Sequence, residues 1–291
     1  MSKGPIFSTA DGCVIAMNAC PAKGGEVTKQ SFNKNYSPKK HLGQNFLTDI
    51  HVQQKIIQAC ELKSDDVVVE IGPGQGVLTR LIAPNVKMLI CIETDRDLIE
   101  PLQLSLKGTV EIIHADFLKW DMIALPDGIK VIGNIPYYIS TPIIEKLIKD
   151  RAKISAAFLT VQLEFGGRLT ARPGGKEYGS LSCFAQYYAD IKMLFKIKNT
   201  CFKPAPKVDS CFLRLDRKPQ AQMPSCNEEF LFELIQTAFQ QRRKNIVNSL
   251  KGLVGKEKLE GSLKALGIDL NARAENLTLS NYIELSNRLV I

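Results

Sequence analysis

The segment Glu70-Ile71-Gly72-Pro73-Gly74-Gln75-Gly76 places three glycines at alternate positions. It follows the apolar run Val67-Val68-Val69 and precedes a helical pattern over residues 77–82. A buried strand that enters a glycine turn and then a helix brings bare backbone close to a ligand at the carboxyl edge of a parallel sheet. The segment therefore predicts a nucleoside-cofactor site, with an ordinary tight strand–helix connection as the alternative.

The glycine spacing indicates which cofactor such a site would hold. A dinucleotide fingerprint has the pattern G-x-G-x-x-G, whereas Val77 occupies the third glycine position in this chain. Glu70 ends the strand, where its negative charge would repel a pyrophosphate. S-adenosylmethionine has no phosphate and carries a positively charged end. The segment therefore favours S-adenosylmethionine over a dinucleotide.

Polar residues also follow three later apolar runs of the chain. Glu93 and Asn134 directly follow the runs 88–92 and 130–133, and Asp116 closely follows the run 110–113. Strand and helix patterns alternate to about Arg172, which predicts an α/β fold with a Rossmann-like, doubly wound sheet. Because the carboxyl ends of parallel strands meet at one edge, these polar groups should lie together, with Glu93 placed to accept ribose hydroxyls.

The stretch Asn134-Ile135-Pro136-Tyr137 carries the most chemistry. The amino group of adenine is a poor nucleophile because its lone pair is delocalised into the ring. An enzyme that alkylates it needs acceptors for the amino hydrogens, and the Asn134 side chain and the Ile135 carbonyl provide two. Pro136 would hold them in position while Tyr137 stacks on an extruded base. A proline turn beside a core tyrosine is the alternative, but the stretch resembles the motif of amino-group nucleic-acid methyltransferases.

Five motifs in order extend this resemblance from about Pro38 to the C-terminus. They resemble those of the ribosomal RNA adenine N6,N6-dimethyltransferases, and most of all the bacterial small-subunit branch whose loss confers kasugamycin resistance. The five motifs occupy residues 41–47 (HLGQNFL), 70–79, 134–141 (NIPYYIST), 202–210 (FKPAPKVDS) and 241–245 (QRRKN).

The resemblance implies a set of cofactor contacts. These residues are Asn45 and Leu47 on the N-terminal side, Gly72 at the methionine portion, Glu93 at the ribose, Asp116 at the adenine and Asn134 where cofactor and target amine meet. Two positions depart from the family pattern, since Gln75 stands where many members have Leu and Tyr138 where many have Asn. Neither departure removes an implied ligand.

Length and charge suit a nucleic-acid partner. The chain has 291 residues, 45% of them apolar, a formal charge of +8 and a pI near 9.0. This predicts one larger and one smaller domain and a polyanionic partner. No apolar run approaches the length of a membrane span. Eight cysteines, none in a C-x-x-C pair, indicate reduced thiols and a cytoplasmic protein.

Composition also suggests the domain boundaries. Residues 1–37 lack sustained periodicity and are expected to form a disordered extension, with a basic RNA-binding arm as the alternative. Residues 38–216 are expected to form the methyltransferase domain. After a polar linker, helical patterns over 226–291 predict a small helical domain that binds ribosomal RNA.

Two basic clusters are candidates for RNA contacts. Arg242, Arg243 and Lys244 could contact phosphates, although a solvated helix face is the alternative. Lys203 and Lys207 lie in a proline-rich loop that the resemblance places beside the pocket, where a stiff connector is the alternative.

Taken with the resemblance, these features imply an enzyme that dimethylates N6 of two adjacent adenosines in a hairpin loop near the 3′ end of 16S ribosomal RNA. It would act as a monomer, without a metal and without membrane contact. A large-subunit methyltransferase of the erythromycin-resistance type and a non-catalytic ribosome-assembly factor remain alternatives.

Overall fold

The structure is a computed structural model that describes residues 6–8, 14–16, 36–106 and 110–290. Within the predicted N-terminal extension, Ile6–Ser8 (β1) and Val14–Ala16 (β2) pair as an antiparallel ribbon. Most of residues 1–37 lie outside the described residues, so disorder there stays a prediction.

Strands and helices alternate up to the strand that ends at Arg217, and the α-helices that follow begin at Glu228. The remaining strands are β3 (Phe46–Leu47), β4 (Val67–Ile71), β5 (Met88–Glu93), β6 (Val110–His114), β7 (Ile129–Asn134), β8 (Ile154–Gln162), β9 (Ala189–Ile197), β10 (Phe202–Lys203) and β11 (Ser210–Arg217). The α-helices are α1 (Ile50–Ala59), α2 (Thr79–Ile82), α3 (Arg96–Ser105), α4 (Ser140–Lys149), α5 (Leu163–Thr170), α6 (Ser180–Tyr188), α7 (Glu228–Gln240), α8 (Ile246–Leu250), α9 (Lys256–Ala265) and α10 (Leu279–Val290).

Seven strands form one sheet in the order β6-β5-β4-β7-β8-β11-β9. The pairs β4–β5, β5–β6, β4–β7 and β7–β8 are parallel. The central strands β4 and β5 are almost wholly buried, as expected for a sheet covered on both faces. Strand order reverses between β4 and β7, and at such a switch point a crevice opens at the carboxyl ends of the strands. The doubly wound fold that the sequence predicts is confirmed.

Helix α1 shows how local sequence builds the layer over the sheet. Asp49 is its N-cap, and the carboxylate accepts the backbone N–H groups of His51 and Val52 over 2.9 and 3.0 Å. Ile56 and Cys60 are fully buried in the hydrophobic cluster that also contains the sheet residue Val68. Helix α1 therefore packs its apolar side against the sheet.

The described residues divide into two compact units. The first comprises the chain up to Leu163 together with Leu194–Leu215, and the second comprises Glu164–Met193 and the chain from Asp216 onward. Composition alone assigns residues 164–193 to the methyltransferase domain, whereas in the structure they pack with the C-terminal helices.

The core of the second unit follows the apolar stripe expected for α7. Leu231, Leu234 and Ile235 are at most 1% exposed. Tyr282 of α10 is also buried, and its hydroxyl donates to the Ala274 carbonyl over 2.8 Å. The predicted helical C-terminal region is confirmed. In the described ranges, no helix is both long and apolar enough to cross a bilayer.

Candidate active site

A cavity of about 300 Å³ opens at the carboxyl ends of β4, β5 and β7, within the first unit. Its walls come from five stretches of the chain, namely 42–47, the glycine turn, the end of β5, residues 116–118 and residues 134–139. All six implied cofactor residues, Asn45, Leu47, Gly72, Glu93, Asp116 and Asn134, line this one cavity.

The glycine turn requires residues without a Cβ. Gly72, Gly74 and Gly76 have φ values of +62°, +57° and +70°, the left-handed region that glycine adopts readily. A Cβ on Gly74 would lie 2.9 Å from the Phe46 ring, whereas a Cβ on Gly72 would meet nothing within 4 Å. The Gly72 N–H donates to the Ile92 carbonyl over 2.9 Å, which fastens the turn to β5. At Gly72 the turn therefore leaves open space that a ligand can approach.

Glu93 anchors the turn from the neighbouring strand. Its carboxylate accepts the Gly74 N–H over 3.0 Å and the Asp95 N–H over 2.8 Å. Burial raises the pKa of Glu93, and these two N–H groups oppose that shift. A carboxylate offers about four lone-pair positions, so Glu93 keeps acceptor capacity for ligand hydroxyls.

Two other carboxylates line the cavity. Glu70 is only 2% exposed, and burial raises its pKa to about 7, with the charge of Glu93 adding to the shift. The Cys91 thiol lies 3.6 Å from a Glu70 carboxylate oxygen, to which it donates. Asp116 is half-buried and accepts the Leu118 N–H over 3.0 Å. The cavity wall therefore presents carboxyl groups at separate positions and suits a ligand with a cationic end.

Asn134 ends β7 and is held by the N-terminal segment. Its side-chain Nδ2 donates to the Asn45 carbonyl over 2.9 Å. Asn45 in turn donates its own side-chain amide to the Gly43 carbonyl over 3.1 Å. Because the bond to Asn45 uses the NH₂ group, it orients the planar amide and leaves the Asn134 Oδ1 as an acceptor.

The two tyrosines after Pro136 differ in exposure. Tyr137 is half-buried, and its hydroxyl forms a 2.7 Å hydrogen bond with the Ser210 hydroxyl. Burial raises the pKa of Tyr137, so the phenol remains protonated at neutral pH. Tyr138 is 61% exposed at the edge of the same cavity. The hydrogen bond and partial burial therefore fix the Tyr137 ring, whereas the Tyr138 ring is exposed to solvent.

The proline-rich loop lies next to a wall of the cavity. Lys203 of β10 pairs with Phe46 of β3 in a short antiparallel ribbon, and Phe46 lines the cavity. Asn199 steadies the loop by donating its side-chain amide to the Pro206 carbonyl over 3.1 Å. Lys203 and Lys207 are both exposed.

Sequence reasoning missed a buried carboxylate, Asp95, whose side chain has 0% exposure. Lys39 Nζ donates to its Oδ1 over 2.5 Å, and Gln44 Nε2 donates to its Oδ2 over 2.8 Å. The Tyr36 hydroxyl also lies 2.5 Å from Oδ2. Tyr36, Lys39, Gln44 and Asp95 are called the Asp95 cluster below. The only local signal was helix capping, since Asp95 is the N-cap of α3.

The basic cluster at 242–244 lies on a turn, so the alternative of a solvated helix face does not hold for it. Helix α7 ends at Gln240, and Asn245 begins α8 by accepting the Asn248 N–H over 2.9 Å. The Arg242 guanidinium donates to the Lys176 and Tyr178 carbonyls, each over 2.9 Å, and pairs with Glu275 at 3.0 Å. Arg243 and Lys244 are exposed. Arg242 is thus a structural residue of the second unit as well as a candidate RNA contact.

Sheet order, glycine turn, acidic strand ends and the Asn134 motif together define a Rossmann-like methyltransferase. Residues 35–290 match the ribosomal RNA adenine dimethylase family, and the chain belongs to that family. The resemblance noted from the sequence motifs is therefore confirmed.

Relatives and solved structures agree with this assignment. Ribosomal RNA small subunit methyltransferase A from Clostridium botulinum (strain Loch Maree / Type A3) is 39% identical over 267 residues, covering 89% of this chain and 97% of the relative. A dimethyladenosine transferase from Plasmodium falciparum matches with a TM-score of 0.72 and 26% identity, covering 82% of this chain and 95% of that one. The 23S rRNA methyltransferase ErmE matches with a TM-score of 0.69 and 28% identity, covering 85% of this chain and all (100%) of that one.

Proposed function

We propose that the protein transfers methyl groups from S-adenosylmethionine to N6 of two adjacent adenosines in a hairpin loop near the 3′ end of 16S ribosomal RNA. The observation that carries this proposal is the Asn134 amide, oriented by the Asn45 carbonyl at the wall of an acid-lined cavity. The name of the 39% identical relative, a small subunit methyltransferase, supports the choice of ribosomal subunit.

The cavity fits S-adenosylmethionine. Open space at Gly72 can receive the methionine portion, and Glu93 has acceptor capacity for the ribose hydroxyls. Asp116 lines the same cavity and would accept a hydrogen bond from the adenine amino group. Asn45 and Leu47 line the N-terminal wall. When bound, S-adenosylmethionine supplies an electrophilic methyl group on a sulfonium.

The residues of the chain position the target amine. Asn134 Oδ1 and the Ile135 carbonyl accept its two hydrogens, which directs the nitrogen lone pair toward the methyl donor. Pro136 restricts the backbone between these acceptors and Tyr137, whose tethered ring stacks on the extruded base. Neutral acceptors do not retain the proton that the amine loses, so it passes to water. Positioning of this kind can lower a reaction barrier by about 7–11 kcal/mol.

Exposed lysine and arginine side chains would bind the phosphates of the RNA. Lys203 pairs with the cavity-lining Phe46, and Lys207 is exposed four residues further along the same loop. Both can contact the backbone of the target strand. Arg243 and Lys244 are exposed in the second unit and can contact phosphates of the folded RNA. Arg242 can add to them with whatever donor capacity its structural bonds leave. On this proposal the protein acts as a monomer on the assembling small subunit in the cytoplasm.

Large-subunit methylation is the main alternative, because ErmE has the same fold. Identity favours the small subunit, at 39% with the Clostridium relative against 28% with ErmE. Against a non-catalytic assembly factor, Asn134 and Glu93 are both present and line the cavity.

One experiment separates these alternatives. Unmethylated small and large subunits are incubated with the protein and labelled S-adenosylmethionine, and modified nucleosides are identified by mass spectrometry. The proposal expects N6,N6-dimethyladenosine at two adjacent positions of 16S RNA. Label in 23S RNA would establish the large-subunit alternative, and no label in either would favour the assembly factor.

A further inference from the structure

The Asp95 cluster makes more contacts than helix capping requires. A helix N-cap needs one side-chain acceptor, which Asp95 provides to the Asp97 N–H over 3.1 Å. Its three additional partners come from a segment 51 to 59 residues earlier in the chain. The cluster therefore ties that segment to the end of β5.

The cluster is built around a permanent charge. Burial alone would raise the pKa of Asp95, but hydrogen bonds from Lys39, Tyr36 and Gln44 hold that pKa at about 2. A charge-assisted network of this kind is stronger than bonds between neutral groups. Removing the negative charge of Asp95 should therefore weaken the attachment of residues 36–44 more than it weakens the rest of the fold.

The segment that Asp95 holds also contacts Asn134. Gln44 binds Asp95 through its side chain, and the next residue, Asn45, supplies the carbonyl that accepts the Asn134 amide. Between them these two bonds connect the end of β5 to the end of β7 across the N-terminal wall of the cavity.

We propose that Asp95 is a positioning residue for methyl transfer: it fixes segment 36–45 so that the Asn45 carbonyl orients the Asn134 amide toward the target amine. The inference rests on the proposed role of Asn134 and adds a residue that never touches the substrate. Without the hydrogen bonds to Asp95, the Asn45 carbonyl can move. A shift of about 1 Å in such a group can lower the reaction rate by up to about a hundredfold.

The test compares Asp95→Asn with Asp97→Asn in the full chain. Asp97 is a matched control because it also pairs with Lys39, at 2.7 Å, but its side chain is 66% exposed. Exposed salt bridges of this kind contribute little to the stability of the fold. Each variant is examined for thermal stability, for single-turnover methyl transfer at saturating cofactor and RNA, and for the NMR signals of the Asn134 side-chain amide, assigned by their loss in Asn134→Ala.

Asp95→Asn should slow transfer by about tenfold or more at temperatures where the variant is folded. It should also shift or broaden the Asn134 amide signals, while Asp97→Asn changes neither. A wild-type rate in Asp95→Asn would overturn the inference, and so would a slow variant with unchanged amide signals. The amide signals do not depend on activity. If Asn134→Ala remained active, the proposed role of Asn134 would fail even where Asp95→Asn altered those signals.

Discussion

The side-chain amide of Asn134 donates to the main-chain carbonyl of Asn45 over 2.9 Å, although 89 residues separate them in sequence. The bond connects the motif at the end of β7 to the segment that forms the N-terminal wall of the cavity. Asn134 Oδ1, the proposed acceptor for the target amine, is thus oriented before any substrate is present. Preorganised polar groups of this kind cost no rearrangement during reaction.

Asn134→Ala should abolish methyl transfer while largely sparing cofactor affinity. The side chain mainly serves the attacking amine, and its removal also leaves the Asn45 carbonyl without the bond from Nδ2. Calorimetry with S-adenosylmethionine and a labelled-methyl assay test the two effects together. Transfer that persists within about tenfold of wild type, equivalent to about 1.4 kcal/mol of barrier, would disprove the role of Asn134.

Glu93→Ala should weaken cofactor binding by roughly 1.5–3 kcal/mol, because the ribose hydroxyls lose a charged acceptor. The variant also removes the acceptor of the Gly74 N–H, so the glycine turn loses one of its supports. Calorimetric titration of S-adenosylhomocysteine measures the change. Exposed Glu145→Gln provides the control, and an unchanged affinity in Glu93→Ala would place the ribose elsewhere.

Glu70 should make stability depend on pH. Its pKa is about 7 in the folded protein and near the ordinary glutamate value of 4.5 when unfolded. The folded state therefore holds this proton more tightly, and the associated stability is complete below about pH 4.5 and lost as the pH rises past 7. A shift of this size corresponds to on the order of 3 kcal/mol.

The amide in Glu70→Gln does not ionise, so this variant should lack the loss of stability that Glu70 causes as the pH rises. Its free energy of unfolding relative to wild type should increase between about pH 4.5 and 8, as measured by urea unfolding across that range. The exposed Glu145→Gln should track wild type throughout. A parallel pH profile for Glu70→Gln and wild type would show that Glu70 ionises normally in the fold.

In the basic turn at 242–244, we expect Arg242 to stabilise the fold and Arg243 and Lys244 to bind RNA. Arg242→Ala should destabilise the protein by about 1–3 kcal/mol, because two carbonyls and Glu275 lose their donor. Arg243→Ala/Lys244→Ala should leave thermal stability unchanged and reduce the salt dependence of small-subunit binding, by roughly 0.7–0.9 in slope for each phosphate that the variant no longer neutralises. Cofactor affinity should remain at the wild-type value in the double variant. An unaltered salt slope would remove this turn from the RNA interface.

Local sequence patterns were sufficient to predict the sheet and the cavity. Glycine spacing, polar residues at or near the strand ends and the motif at Asn134 are signals within a few residues, and parallel topology gathers strand ends at one edge. The apolar stripe of α7 likewise followed from a helical period, since burial of one face is a local property. The class of fold and the cavity-lining residues Gly72, Glu93, Asp116 and Asn134 could therefore be predicted from the residues themselves. Asn45 and Leu47 followed only from the resemblance to a known family.

Which side chains meet across the fold could not be read in this way. Asp95 gathers partners from 51 to 59 residues away, and Arg242 reaches carbonyls 64 and 66 residues away. Such contacts depend on how whole elements pack, and no periodicity or motif records them. Packing buries the carboxylate of the helix cap Asp95, whereas Arg242 stays partly exposed and is held by hydrogen bonds to two carbonyls and by Glu275. Removal of either charge should therefore destabilise the fold.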